Sequence, residues 1–480
     1  MPTVALANLG CKVNQYETER MAQSFEACGF TLTDFRARAD VYVVNTCSVT
    51  ADADKKSRHT ARKAARQNPD AQVVLTGCFA QMALDTGLDV EGATLLVPNS
   101  QKMRTAAHVL DAFPGLIQYS SSPAIQPMSD LAVFPESAPG GLVRPVPMDA
   151  DIDGRGRPSY DKTADQATPA VQLSITPVRG GPALNRTRAT LKIQDGCRYF
   201  CSFCSIPFTR NTMASRPLWD VLAEAGQLAD AGVREVVVTG VCVGAYGPET
   251  GSGGAKLADV LTAVADVDGI DRVRLSSVQP VEVPDEVIDA IAAHPNIAPH
   301  LHLSLQSGDD TILRAMNRPY DTAYFADKVA RLRAAVPGIG LTTDLIVGFP
   351  GETEALFENT LRFAERMQFT RTHVFRYSPR QRTAAADLPD SVPPEEKERR
   401  HRALTAVCVG SQKAFAAAQI GKTVDVLVEA SGSRDGWLSG YTGNYVRVQF
   451  PASREVRGAM AAVTITDVLP DGDAYGALQR

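Results

Sequence analysis

Ile193-Gln-Asp-Gly-Cys-Arg-Tyr-Phe-Cys-Ser-Phe-Cys-Ser-Ile-Pro207 is the stretch on which the reading of the chain turns. It carries Cys197, Cys201 and Cys204 in a C-x-x-x-C-x-x-C pattern. Three thiolates in one short loop reach three corners of an iron–sulfur cube and leave the fourth open. Soft thiolates select Fe–S centres or zinc. A structural zinc site takes four protein ligands, and neither a second C-x-x-C pair nor a histidine lies near. The missing ligand leaves one iron free for a small molecule. The competing reading is three reduced, buried thiols without metal. Tyr199, Phe200 and Phe203 interleave the cysteines and would shield a cluster from water.

The spacing resembles that of the radical S-adenosylmethionine (SAM) superfamily. The resemblance implies a 4Fe–4S cluster on Cys197, Cys201 and Cys204, with SAM chelated at the open iron. It also implies a reducing electron donor, whose electron serves to cleave the sulfonium to a 5′-deoxyadenosyl radical.

Bulk properties bound the rest. A length of 480 residues points to about three domains. The nine cysteines are odd in number and lack the spacing of a small secreted scaffold. The N-terminal Met-Pro-Thr-Val-Ala-Leu has no basic region followed by an apolar core, and no apolar run approaches the ~20 residues that span a bilayer. The expected setting is cytoplasmic, without a membrane, where thiols stay reduced. A monomer is expected. A net charge of −5 argues against general nucleic-acid binding but leaves room for a local basic face.

Over residues 1–112, strands are expected at Val4–Leu9, Asp40–Asn45 and Gln72–Thr76. Helices at Asn14–Cys28 and Asp52–Asn68 alternate with them, which implies a parallel sheet. Such sheets build sites at the carboxyl ends of their strands. Gly10-Cys11, Thr46-Cys47 and Gly77-Cys78 each follow a strand, so the fold would gather Cys11, Cys47 and Cys78 into a second trio. The competing reading is three unrelated buried cysteines, and Cys28 reads as core packing. The second helix carries Lys55, Lys56, Arg58, Arg62, Lys63 and Arg66. They are either a solvated face or phosphate contacts, and the opening of the segment by Cys47 favours phosphate.

Leu9-Gly-Cys-Lys-Val-Asn-Gln-Tyr-Glu-Thr-Glu19, Asn45-Thr-Cys-Ser-Val-Thr50 and Thr76-Gly-Cys78 resemble the N-terminal domain of the methylthiotransferases. The resemblance implies that Cys11, Cys47 and Cys78 hold an auxiliary 4Fe–4S cluster bearing the sulfur to be transferred, and hence a sulfur donor. Within the family, Gly-Cys-Lys-Val-Asn-Gln-Tyr-Glu is similar to the branch acting on N6-threonylcarbamoyladenosine in tRNA. The other branches act on isopentenyladenosine or on a ribosomal-protein aspartate.

Residues 113–188 are dense in Pro, Gly, Ser and Asp without period, a flexible linker. Residues 189–412 hold six strand–helix units, with strands at Thr190–Gln194, Glu235–Thr239, Arg272–Ser276, His300–Leu305, Gly340–Val347 and Thr372–Phe375. These suggest a partial (β/α)6 barrel, with the cluster loop after the first strand. Strand-end residues Gly240, Ser276, Gln306, Ile346 and Gly348 are the candidate SAM contacts. Cys242 reads as small, partly buried and no ligand. Gln279 stands where many relatives carry an acid and is given no role. His300 and His302 share one face, for structure or a metal. Arg210 would meet the SAM carboxylate or an RNA phosphate, or simply lie on the surface. Residues 413–480 alternate as short strands between glycine turns, a small all-β barrel. Gly440-Tyr-Thr-Gly-Asn-Tyr445 resembles the TRAM module of RNA-modifying enzymes, and Tyr441, Tyr445 and Arg447 would contact RNA.

The fold class expected is thus α/β: an N-terminal parallel sheet domain, a central partial barrel and a C-terminal TRAM-like barrel. The resemblance implies a tRNA methylthiotransferase that converts the C–H at carbon 2 of N6-threonylcarbamoyladenosine, next to the anticodon, to C–SCH3. The other two branches are the alternatives. A non-catalytic Fe–S RNA-binding or redox-sensing protein is the alternative of a different class.

Overall fold

The computed structural model describes residues 1–116, 187–389 and 392–479. Most of the expected linker lies outside the described residues. At its edges, Pro114–Leu116 form a helical turn and Arg188 already belongs to a strand.

The N-terminal unit is a five-stranded, all-parallel sheet of β1 (Thr3–Asn8), β2 (Thr31–Thr33), β3 (Val41–Thr46), β4 (Gln72–Gly77) and β5 (Leu95–Leu96), in the order β2-β1-β3-β4-β5. The central strand β3 is buried throughout, as a continuous apolar run in a doubly covered sheet requires. Helix α1 (Lys12–Ala27) follows β1, α2 (Ala51–Gln67) follows β3, and α3 (Cys78–Thr86) follows β4. The Thr50 side chain caps α2 by accepting from the Ala53 amide, and Asp52 and Asp54 sit in its first turn, where the helix dipole favours acids. The expected strands and helices are present; the short edge strands β2 and β5 have too little apolar sequence to be read in advance.

The central domain has six parallel strands: β6 (Arg188–Asp195), β8 (Glu235–Gly240), β9 (Arg272–Leu275), β10 (His300–His302), β11 (Gly340–Val347) and β12 (Arg371–Arg376). The two-residue β7 (Ala214–Ser215) adds to β6 antiparallel. The set divides into β7-β6-β8-β9 and β10-β11-β12, joined by isolated parallel bridges Val273–Ile297 and Val278–Leu303. This is the expected open barrel, and one apolar core runs under it from Leu191 to Leu404.

A long helix, Pro394–Ala417, runs through the expected domain boundary into a closed barrel of β13 (Thr423–Ser431), β14 (Trp437–Thr442), β15 (Arg447–Pro451), β16 (Met460–Val468) and β17 (Ala474–Leu478), in the order β13-β14-β15-β17-β16. Residues 440–450 alternate like one strand but form a hairpin. The Tyr445 amide turns back to the Thr442 carbonyl and Tyr445 takes φ 71°, so Tyr445 leaves the strand register while Tyr441 stays in β14 opposite Arg447.

Candidate active site at the seam of three domains

Cys11 precedes α1 and is exposed; Cys47 and Cys78 are buried just past β3 and β4. The ends of β1 and β3 touch closely. A Cβ on Gly10 would stand 2.6 Å from Cβ and 2.7 Å from Sγ of Cys47. Gly77 adopts φ 91°, and a Cβ there would meet Asn45 Oδ1 at 2.6 Å, so only glycine fits before Cys78. The Cys47 thiol is pushed up to about 11, first by burial and then by the charges of Cys78 and Cys11. The three strand ends therefore bring their sulfurs within electrostatic reach of one another.

In the loop after β6, Cys197, Cys201 and Cys204 also bear on one another's charge, and burial pushes the Cys201 and Cys204 thiols up. Residues 315–318 clamp this loop. Ser202 donates its amide to Met316 O (3.0 Å) and its hydroxyl to Ala315 O (2.8 Å). Asn317 donates to Phe200 O (3.1 Å), and Arg318 Nη1 to Cys201 Sγ (3.1 Å). Phe200 and Asn317 both take positive φ, strain of the kind that gathers at functional sites.

Among the described residues, no three Cys, His, Asp or Glu side chains are arranged to hold one metal ion. A cubane makes a different demand, since each thiolate takes its own corner. Either trio fits one chemically: three soft sulfur donors can each take a corner, and the charge of the iron offsets the repulsion among neighbouring thiolates.

The two trios flank one seam. Ser205, next to Cys204, donates to the carbonyl of Ser48, next to Cys47 (3.5 Å). A cleft at this contact is lined by Ser48, Met82, Ser205, Phe208, Arg380 and Arg382. Arg210 corrects the reading of it as a SAM, phosphate or surface residue: it is 5% exposed and engaged by Glu17 (2.8 Å), Asp195 (3.0 Å) and Asn14 (2.9 Å). Glu17, from α1, also takes Lys102 (2.5 Å) and Lys192 (2.7 Å), and the three cations hold its carboxyl well below the usual range against the cost of burial. Sequence reasoning missed Glu17, although a carboxylate between Val13 and Met21 on one helix stripe was the available signal. Cys242, expected to be partly buried, is buried, and its Sγ donates to Glu282 Oε1 (2.9 Å).

The barrel interior is polar. On β11, Leu341, Leu345 and Val347 join the core under the helices, and the alternate Thr342, Asp344 and Ile346 turn inward. They pair with Arg371, His373 and Phe375 of β12. His302 Nε2 meets Asp344 (3.2 Å), and Thr342 Oγ1 lies 3.0 Å from a nitrogen of both His300 and His302. This shared hydroxyl accounts for the histidine pair. Lys12, beside Cys11, reaches into the same space. It is solvent-accessible yet enclosed, with its ammonium lowered to about 8 by lost hydration and then by Arg188 and Arg274; Glu235 and Asp344 act oppositely.

The candidate SAM contacts lie at successive strand ends. Ser276 is buried; Gln306 holds a left-handed φ of 75° and bridges β11 through the Asp344 carbonyl and the Ile346 amide. Ile346 packs in the cluster that receives Phe203. The space above Gly240 is taken by Gln194, and that above Gly348 by Lys397, so packing inside the chain already explains both glycines.

Lys55, Lys56, Arg58 and Arg62 are exposed on α2, with Arg62 3.5 Å from Glu91. Tyr441 and Tyr445 do not stand free. Tyr445 stacks on His300 (4.4 Å) and on Tyr441 (4.8 Å), with Arg274 and Arg188 over the two tyrosine rings, and Arg447 pairs with Asp473 (3.2 Å). Their stacking faces are spent on the central domain rather than presented to a base.

Residues 3–97 match UPF0004, described as an uncharacterized protein family, and residues 191–364 match the Radical SAM superfamily. The chain is 35% identical over 469 residues to the threonylcarbamoyladenosine tRNA methylthiotransferase of Bacillus subtilis (strain 168), covering 97% of this chain and 94% of that one. The chain belongs to the radical SAM tRNA methylthiotransferases. The Thermotoga maritima threonylcarbamoyladenosine tRNA methylthiotransferase shares 34% identity with this methylthiotransferase, over 95% of this chain and 92% of that one. The tRNA-2-methylthio-N(6)-dimethylallyladenosine synthase of Aeromonas hydrophila shares 35%, over 96% and 89%. The structure of the radical S-adenosylmethionine methyltransferase TsrM from Kitasatospora setae, with tryptophan and a SAM analogue bound, aligns with the methylthiotransferase at TM-score 0.50 and 16% identity. It covers 80% of this chain and 75% of that one, a likeness of fold alone. Among the described residues no helix is long and apolar enough to cross a membrane.

Proposed function

We propose that the chain transfers a methylthio group to carbon 2 of N6-threonylcarbamoyladenosine in tRNA. Cys197, Cys201 and Cys204 would hold one 4Fe–4S cluster, and Cys11, Cys47 and Cys78 a second. When bound, the clusters and SAM supply the radical and sulfur chemistry that an unactivated C–H bond demands. Ser276, Gln306 and Ile346 are the strand-end residues best disposed to orient SAM.

The observation that carries the choice of branch is the charge of the space beside Cys11. Lys12 stands there with Arg188 and Arg274, against Glu235 and Asp344, three cations to two carboxylates. A threonylcarbamoyl group brings a carboxylate, which such a space favours. An isopentenyl group brings only hydrocarbon, and burying it among these charges gains nothing.

The test is anaerobic reconstitution with tRNA bearing or lacking threonylcarbamoyl, followed by mass spectrometry of the nucleosides. Methylthio product only from the threonylcarbamoyl substrate is expected; equal or better use of isopentenyladenosine overturns the branch. Cys47→Ser should abolish methylthio transfer and retain SAM cleavage to 5′-deoxyadenosine, whereas Cys201→Ser should abolish both.

A further inference from the structure

We propose that Arg318 tunes the redox potential of the cluster held by Cys197, Cys201 and Cys204, its Nη1 donating to the Cys201 sulfur. The inference rests on the reading of Cys201 as a ligand. Four of the five N–H donors of this guanidinium are engaged. Nη1 meets Cys201 Sγ at 3.1 Å, and Nη2 meets Ser304 O at 3.0 Å. Nε and Nη2 meet the Tyr320 hydroxyl at 2.8 and 2.6 Å, and the group lies 4.9 Å over the Tyr320 ring. Tyr320 is itself buried, and its hydroxyl donates to Ser304 O and Leu305 O. A guanidinium so occupied has no fork left for a phosphate or a carboxylate. What it directs outward is a single charge-assisted donor at one sulfur.

Hydrogen bonds to cluster sulfurs and local charge are the protein's levers on cluster potential. Reduction adds negative charge to the cluster, so a fixed cation and donor favour the reduced state and raise the potential. The charge of Arg318 also bears on Cys197 and Cys204, in the direction that favours thiolate. Arg318 belongs to the segment whose neighbours Met316 and Asn317 hold the loop backbone, so positioning and tuning come from one short stretch.

The experiment uses the full chain, reconstituted anaerobically and poised at one fixed potential with dithionite and mediators. The cluster in question is the one whose EPR signal shifts on adding SAM. In R318Q its reduced-to-oxidised ratio should fall about tenfold, equal to about 59 mV for a one-electron couple. R318K, which keeps the charge but not the fork, should fall less, and the SAM-insensitive cluster should stay unchanged in both. An unchanged ratio in R318Q molecules that retain the cluster overturns the proposal. So does loss of the cluster from R318K, which would assign the residue to holding the loop alone. Persistence of the SAM-responsive signal in Cys201→Ser would instead overturn the ligand reading.

Discussion

The two cysteine trios are built in opposite ways. Cys197, Cys201 and Cys204 lie on one loop, clamped by residues 315–318 and by the Ala385 amide on the Ser202 carbonyl. Cys11, Cys47 and Cys78 come from three strand ends, and their proximity depends on sheet order, on Gly10 and Gly77, and on how α1 seats against β6. A local site tolerates disturbance of the fold around it. An assembled site registers every shift of the elements that compose it.

The largest effect is expected where the assembled trio meets the central domain. Glu17→Ala would leave Lys102, Lys192 and Arg210 buried without their shared carboxylate, a loss of about 3–5 kcal/mol by the usual cost of breaking a buried ion pair. Urea unfolding of the apoprotein reads the loss, and iron should drain from the assembled trio first. Wild-type stability in this variant would break the contrast. Next comes Gly77→Ala, which puts a side chain at φ 91° against Asn45 and should cost about 1–3 kcal/mol. Iron content should fall by about half, while the SAM-responsive EPR signal remains; loss of both signals would show that the trios are not independent. Lys12→Gln should leave iron content alone and lower kcat/KM for threonylcarbamoyl-bearing tRNA about tenfold, the low end of a charge-assisted hydrogen bond worth ~1.5–3 kcal/mol. An unchanged kcat/KM would remove Lys12 from substrate recognition. The smallest effect belongs to the exposed face of α2. Lys55→Gln with Lys56→Gln should make the fall of log affinity for tRNA with log salt shallower, by about one for each phosphate no longer neutralised. An unchanged slope would mark those cations as merely solvated.

How much the sequence disclosed follows the same division. The local trio was legible in its spacing, and the assembled trio through the recurrence of strand, small residue and cysteine. The first was reinforced by the resemblance of its spacing to the radical SAM superfamily, the second by resemblance to the methylthiotransferases over Leu9–Glu19, Asn45–Thr50 and Thr76–Cys78. The barrel strands were legible from apolar runs, with Gly340–Val347 matching to the residue. Partnerships between distant segments were not legible. Arg210 read as a SAM or phosphate contact, or as a surface cation, because Glu17 and Asp195 meet it only in the folded chain. Tyr441 and Tyr445 looked like a platform for bases because nothing near them in sequence announces His300, Arg274 or Arg188. Arg318 passed unremarked because its partner is a sulfur more than a hundred residues away.

The C-terminal barrel is flooring rather than an appendage. Its hairpin sits where the central strands begin: Arg272 and Arg274 donate to the carbonyls of Tyr441, Thr442 and Gly443, and Asn444 lies against Gly340 so closely that no side chain would fit there. An enzyme trimmed of that module would lose the base of its reaction vessel, and bulk water would reach Glu235 and the histidine pair from beneath. A shortened version is therefore a poor tool for asking what the module does for RNA, since the same cut opens the chamber where the chemistry takes place.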